Sequence, residues 1–364
     1  MPHWAWWIVG VLIIGLFAWW LHLRFWAKRL TVPMVYERVV RHTAGDGGHF
    51  ELRHLVPNAE GATSVPILLV HGVGVNHRSH DALPDLSLAR ALVAAGRDVW
   101  LLTLRSGLTG LPRRERRGVR FLAMADHDVP EAIDHVLAAS DADALDYVGY
   151  SMGGMLLYAA LDRRLDPAKL RRVAVVGSPA RVRSPLPGLA FLARMPRPLV
   201  PTLPLRLAGR SVAFMADWLD TPLHRILVNP KNMAKGASAR ALVNAIANVP
   251  GPLAADFAEW LASDDGDVAI EGISVLDALA QMTMPALFLA GAGDRIAPPE
   301  AVARAYEAWG REVGTPKEFV LLGEDSGAAE DYGHGDLVLG FAAAHDVFPR
   351  VVEFLGEPEI ASTS

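Results

Sequence analysis

Leu145-Asp146-Tyr147-Val148-Gly149-Tyr150-Ser151-Met152-Gly153-Gly154-Met155 is an apolar run that breaks into Gly-x-Ser-x-Gly and continues as Met155-Leu156-Leu157-Tyr158-Ala159-Ala160. It reads as a strand, a sharp turn and a helix. A serine at the tip of a strained strand-to-helix turn needs neighbours without side chains, a need that Gly149 and Gly153 meet. The hydroxyl is then exposed at the top of a sheet, with the N–H groups of the following helix aimed toward developing negative charge. This motif makes Ser151 a candidate nucleophile.

The flanks repeat the same strand and helix grammar. Val35 to Ala44 and His49 to Val56 read as two strands joined through Gly45-Asp46-Gly47-Gly48, a hairpin signal. Pro66 to Gly72 is a continuous apolar run of the kind buried on both faces of a parallel sheet. Ser87 to Gly96 has helical spacing with a glycine stop, and Asp98 to Leu104 is the next strand. A helix over Phe121 to Ala139, the helix Met152 to Arg163 and a strand over Arg172 to Gly177 follow. After an interruption the alternation resumes with a strand at Pro285 to Gly291, a helix at Pro299 to Trp309, a strand at Glu318 to Leu322 and one closing helix over Asp336 to Leu355. Alternation of this kind implies right-handed crossovers and a mostly parallel sheet covered by helices.

The interruption, residues 181–282, begins rich in Pro and Leu and later has helix-like stretches at Arg240 to Asn248 and Leu253 to Ala262. It reads as a helical cap inserted into the sheet domain. Its apolar residues Leu186, Leu189, Phe191, Leu192, Leu199, Leu203, Leu205, Phe214, Met215, Trp218 and Leu219 either line an acyl pocket or pack the cap onto the sheet. The chain therefore divides into an anchor and flank at 1–30, a first core part at 31–180, the cap at 181–282, a second core part at 283–357 and a tail at 358–364.

Trp4 through Leu23 carry no Asp, Glu, Lys or Arg, enough for a helix crossing about 30 Å of hydrocarbon. Tryptophans cluster at both ends, Trp4, Trp6 and Trp7 against Trp19, Trp20 and Trp26, as interfacial belts do. A cleaved signal would carry a basic leader and a small-residue cleavage site, and neither is evident. Residues 4–26 thus read as a retained single-span anchor. Arg24, Lys28 and Arg29 lie on its C-terminal side, which by the positive-inside rule puts the remaining chain in the cytoplasm.

Composition narrows the chemistry. At 364 residues and 51% apolar content the chain can bury a large core. A net charge of −5 gives no reason to expect nucleic acid as a partner. With zero cysteines there is no thiolate nucleophile, disulfide or Cys-ligated metal, and no His-x-x-x-His or Glu-rich cluster suggests another metal site. Arg113, Arg114, Arg116, Arg117 and Arg120 read as a solvated basic loop, with anionic headgroups as the alternative contact.

Four separated segments resemble motifs of the α/β-hydrolases: Val70-His71-Gly72-Val73, Gly149 to Gly153, Gly291-Ala292-Gly293-Asp294-Arg295-Ile296-Ala297-Pro298, and Tyr332-Gly333-His334-Gly335-Asp336. The resemblance covers roughly residues 65 to 180 and 285 to 355. It implies an α/β-hydrolase fold with an oxyanion loop, a nucleophile elbow, an acid loop and a histidine loop. Asp85 to Ala89 through Asp98 to Leu101, and Asp128 to Asp134 leading into Tyr147 to Gly149, are similar to acid lipases of the gastric and lysosomal type. The elbow departs from that type, which commonly has His-Ser-Gln-Gly where this chain has Tyr150-Ser151-Met152-Gly153. Related polyester synthases use cysteine, and epoxide hydrolases and dehalogenases put aspartate at the elbow.

Chemistry leads to the same residues. Attack on a carbonyl needs a nucleophile, a base and a carboxylate that orients the base. Ser151, Asp294 and His334 come in the chain order this architecture requires, each after a strand. Among rivals, His345 falls in the closing helix, His71, His77 and His80 come too early, and Asp325, Asp331 and Asp336 read as loop surface. Ser178-Pro179-Ala180 offers no carboxylate. The backbone N–H groups of Met152 and Val73 are the expected oxyanion donors. The expected activity is ester hydrolysis on a lipid-like substrate without a cofactor. Acyl transfer or thioester cleavage through the same residues, and a silent membrane-tethered binding module, are the alternatives.

Overall fold

A computed structural model of the chain describes residues 3–57, 65–161, 163–183, 189–218, 220–263, 266–270 and 272–356. Eight strands form one sheet in the order β1-β2-β4-β3-β5-β6-β9-β10. They are β1 (Arg38–Thr43), β2 (His49–Leu55), β3 (Ile67–Val70), β4 (Val99–Thr103), β5 (Leu145–Tyr150), β6 (Leu170–Val176), β9 (Ala286–Gly291) and β10 (Lys317–Leu322); β7 (Ala269–Ile270) and β8 (Ile273–Ser274) pair separately. β1, β2 and β4 pair antiparallel, and every other pair in the large sheet is parallel. The hairpin thus forms the antiparallel edge that its glycine-rich turn suggested.

The central strands are apolar because helices cover both their faces. All four residues of β3 are fully buried, and β5 and β9 are buried throughout. Truncating Leu68, Leu69, Leu287 or Phe288 to alanine would cost about 2–5 kcal/mol. Charges at this depth are paired: Asp146 in β5 takes hydrogen bonds from Arg97 and Arg171, whose guanidinium groups also reach the carbonyl of Leu355. One buried carboxylate therefore ties the start of the central strand to the end of the last helix.

Local chemistry sets the element ends. Ser87 caps the helix Leu88–Ala94 by accepting from the Arg90 N–H. The helix expected over Phe121 to Ala139 contains a π turn at Met124–Asp128, just ahead of Pro130, whose missing N–H interrupts the α ladder. Arg113–Arg117 is a short exposed helix rather than a loop, and Arg120 is bonded to Asp256. The single closing helix is also corrected: it is three pieces, Asp336–Leu339, Ala343–Asp346 and Phe348–Leu355. Gly340 is extended there and pairs with Met233. A side chain at that glycine would crowd the Asn232 amide at 2.9 Å.

The segment between β6 and β9 consists mainly of short helices, including Leu205–Val212, His224–Leu227, Ala237–Asn244 and Gly251–Ala262. Before the sheet stands α1 (His3–Leu30), long and apolar enough to cross a membrane and with no buried residue. The tail expected at 358–364, together with Leu186 and Leu219, lies outside the described residues.

Candidate active site

Parallel strands deliver their carboxyl ends to one rim of the sheet. Ser151 follows β5 directly, with φ +53°, the left-handed region that costs a non-glycine residue about 1–3 kcal/mol. The close packing that holds this turn explains its glycines. A Cβ on Gly153 would collide with the Val70 carbonyl, and one on Gly149 would sit 2.6 Å from the Gly154 nitrogen.

The structure brings Ser151, Asp294 and His334 together. The Ser151 hydroxyl is 2.9 Å from His334 Nε2, and His334 Nδ1 is 2.7 Å from Asp294 Oδ2. Asp294 Oδ1 accepts the N–H groups of Ile296 and Ala297, each at 2.8 Å. All three side chains are almost fully buried. With Asp294 as acceptor, Nδ1 carries the proton, and the Nε2 lone pair faces the serine hydroxyl.

His71 is excluded as a base by its own bonds. Its Nε2 accepts from the Leu104 N–H at 3.1 Å, so its Nδ1–H donates to the Gly72 carbonyl at 2.8 Å. Burial holds it neutral, with a pKa pushed down to about 3. It braces the turn that presents Val73. His80 is likewise buried, pushed down to about 4, and bonded to the Val70 carbonyl, while His77 meets the Thr103 hydroxyl and His345 is exposed. Among the described residues, the N–H groups of Val73 and Met152 have no acceptor, and both residues flank Ser151.

An apolar cavity of about 200 Å³ opens on Ser151. Of the cap residues left open between pocket lining and packing, Leu189, Leu192 and Leu203 line it. Phe191, Leu199, Leu205, Phe214 and Trp218 do not; they are exposed. The helix Gly251–Ala262 adds Ala254, Phe257, Ala258 and Leu261 to the wall, and Met155, Val182, Ile226, Leu227 and Val249 contribute further apolar surface. Among the described residues, no group of three or more His, Asp or Glu side chains is placed to hold a metal ion.

Two residues here lay beyond the sequence reading. Asp336 is not loop surface: it is fully buried and accepts from the N–H groups of Asn229 and Gly333 and from the Asn232 amide. Tyr150 donates its hydroxyl to the His334 carbonyl at 3.1 Å, and its ring lies 5.2 Å from the imidazole. Its place within the elbow was the one available signal for Tyr150. Asp336 had none beyond standing two positions after His334.

Comparison with known proteins fits this architecture. Residues 65–329 match the family model described as the alpha/beta hydrolase fold. The chain belongs to that family. This α/β-hydrolase is 28% identical over 129 residues to a probable lipase of Schizosaccharomyces pombe, covering 32% of this chain and 27% of the relative. It is 25% identical over 154 residues to the lipase lipl-3 of Caenorhabditis elegans, covering 37% and 38%. The matches thus span well under half of either relative. A thermophilic esterase from Thermogutta terrifontis superposes with a TM-score of 0.54 at 19% identity, over 87% of this chain and 98% of that one, and shares the fold.

Proposed function

We propose that the chain is a membrane-anchored serine hydrolase of carboxylic esters, lipid-like esters favoured, held to the bilayer by residues 4–26. The observation that carries the reading is the continuous hydrogen-bonded series Ser151–His334–Asp294 at the floor of an apolar cavity. Ser151 Oγ attacks the ester carbonyl as His334 Nε2 takes its proton, and Asp294 stabilises the resulting imidazolium. The N–H groups of Val73 and Met152 receive the oxyanion, each contributing ~3 kcal/mol. His334 then protonates the departing alcohol and later activates the water that releases the acid. The inserted segment 181–282 acts as the cap, and its apolar wall holds the acyl chain. The lipase names of the two relatives support a lipid-like ester.

The test is labelling of the full chain by a fluorophosphonate. Wild type is expected to label and Ser151→Ala to remain blank. Labelling that survives the substitution, or a folded wild type that never labels, refutes the assignment. A panel of p-nitrophenyl esters then reads chain length. Turnover of acetate alone would count against a lipid-like substrate.

A further inference from the structure

The last turns of α1 do not stand free. Residues 22, 23, 26, 27 and 30 are half-buried, a spacing that marks one helical face, whereas nearly all of 3–21 is exposed. That face rests on the cap. His22 Nε2 is 3.2 Å from the Ser211 carbonyl, the His22 and Trp26 rings lie 5.0 and 5.8 Å from Phe214, and Asn244 bonds both the Leu30 carbonyl and the Val32 N–H. Phe214 therefore sits at the level of residues 22–26, within about 8 Å along the axis of the last freely projecting turn.

From Phe214 the chain leads to the cavity. Phe214 is 38% exposed, Trp218 81%, Leu223 55% and Leu227 44%. Leu227 also lines the cavity at Ser151. Phe214 and Trp218 border a groove of about 330 Å³ whose polar lining includes Lys235, His224 and Asp217. Large apolar side chains left bare are unfavourable in water, by about 25 cal/mol for each Å² exposed. An aromatic edge with a nearby lysine suits the headgroup level of a membrane.

We propose that Phe214, Trp218, Leu223 and Leu227 form a face of the cap that seats on the bilayer surface beside the base of α1. A lipid ester then passes from the membrane along this face to Ser151 without crossing water. The occupant is the lipid interface because the face is continuous with the contact between cap and anchor. The inference rests on reading α1 as a membrane anchor and Ser151 as the nucleophile.

The absence of cysteine from the sequence allows a clean test. Single variants Ile13→Cys, Trp218→Cys, Leu223→Cys and Asp143→Cys of the full chain carry an environment-sensitive fluorophore in phosphatidylcholine vesicles containing nitroxide-labelled lipid. Asp143 serves as the reference, in the exposed turn before β5 at the opposite end of the sheet. Labels at 13, 218 and 223 are expected to be quenched, and the label at 143 is not. Quenching at 13 with 218 and 223 no different from 143 overturns the proposal; no quenching at 13 overturns the anchor reading with it. A second measurement uses Trp218→Glu combined with Leu223→Glu. Turnover of a long-chain ester embedded in vesicles should fall at least about tenfold, with p-nitrophenyl acetate turnover and fluorophosphonate labelling unchanged. Equal turnover of the embedded ester by variant and wild type refutes the route. A wild type inactive on every ester, with the quenching pattern intact, removes the ester reading and leaves the membrane seat supported.

Discussion

Asp294→Asn tests the proton bookkeeping of the site in a way that alanine does not. The two carboxylate oxygens have separate partners: Oδ1 faces two backbone donors, Ile296 and Ala297, and Oδ2 faces His334 Nδ1. An asparagine must keep its carbonyl toward the two N–H groups, because turning its amide to them would leave donors facing donors at about 1–3 kcal/mol each. Its NH₂ then donates to Nδ1. The imidazole proton is driven to Nε2, which now points a hydrogen at Ser151 and cannot accept one. The expected loss is about 10⁴-fold in kcat, or ~5.5 kcal/mol, with size, shape and the Oδ1 contacts retained. Ester turnover measures the first quantity and the urea midpoint the second. Turnover within tenfold of wild type, at an unchanged midpoint, would refute the argument that Asp294 fixes the histidine tautomer.

Gly153→Ala should destabilise the fold by about 1–3 kcal/mol or more and abolish fluorophosphonate labelling, because the methyl group meets the Val70 carbonyl; denaturant titration and labelling read both effects. Ala258→Phe, on the cavity wall, should shorten the accepted acyl chain, each excluded methylene costing about 0.8 kcal/mol or about fourfold in kcat/KM; an unaltered chain-length profile across p-nitrophenyl esters would argue against that wall. Stability should fall in acid. His71 and His80 are neutral in the fold with pKa values near 3 and 4 but ordinary, near 6.5, once unfolded, so the unfolded chain binds more protons below pH 6.5. Each histidine then removes up to about 1.4 kcal/mol per pH unit between 6.5 and its folded value, visible as a falling urea midpoint that His80→Gln makes shallower.

Much of the site was legible because its constraints are local or topological. Gly149 and Gly153 report a crowded turn through the residues themselves, and the order Ser151, Asp294, His334 follows from strands that all end on one rim. The elements misread were those that distant contacts decide. Gly340 and Pro349 are helix-breaking residues inside Asp336 to Leu355 and mark where the helix divides, but the extended pairing of Gly340 is set by Met233, more than a hundred positions earlier. Asp336 read as surface because a carboxylate in a loop ordinarily is; the Gly333 N–H of its own loop meets one oxygen, and Asn229 and Asn232, arriving from the inserted segment, supply the other donors that let it be buried. For Phe214 and Trp218 the sequence offered two inward roles, pocket lining or packing onto the sheet, and both are exposed instead, because apolarity alone does not say which side of a helix faces inward.

The same long-range bonds limit how substrate can enter. Leu227 to Asn232 is sewn to the histidine loop by five hydrogen bonds: the Gly335 N–H to the Leu227 carbonyl, the Asn229 N–H and Asn232 amide to Asp336, the Asn229 amide to the Asp331 carbonyl, and the Phe341 N–H to the Asn232 carbonyl. At about 1 kcal/mol net each, lifting this part of the cap would cost ~5 kcal/mol and be met in roughly one molecule in several thousand. It would also release the loop that aims His334. With His334 as the proposed base, a cap that opened as a rigid lid would thus disorder that base at the moment substrate arrived. Entry through the existing mouth avoids this, and Leu227 marks that mouth, exposed on one side and against the cavity on the other.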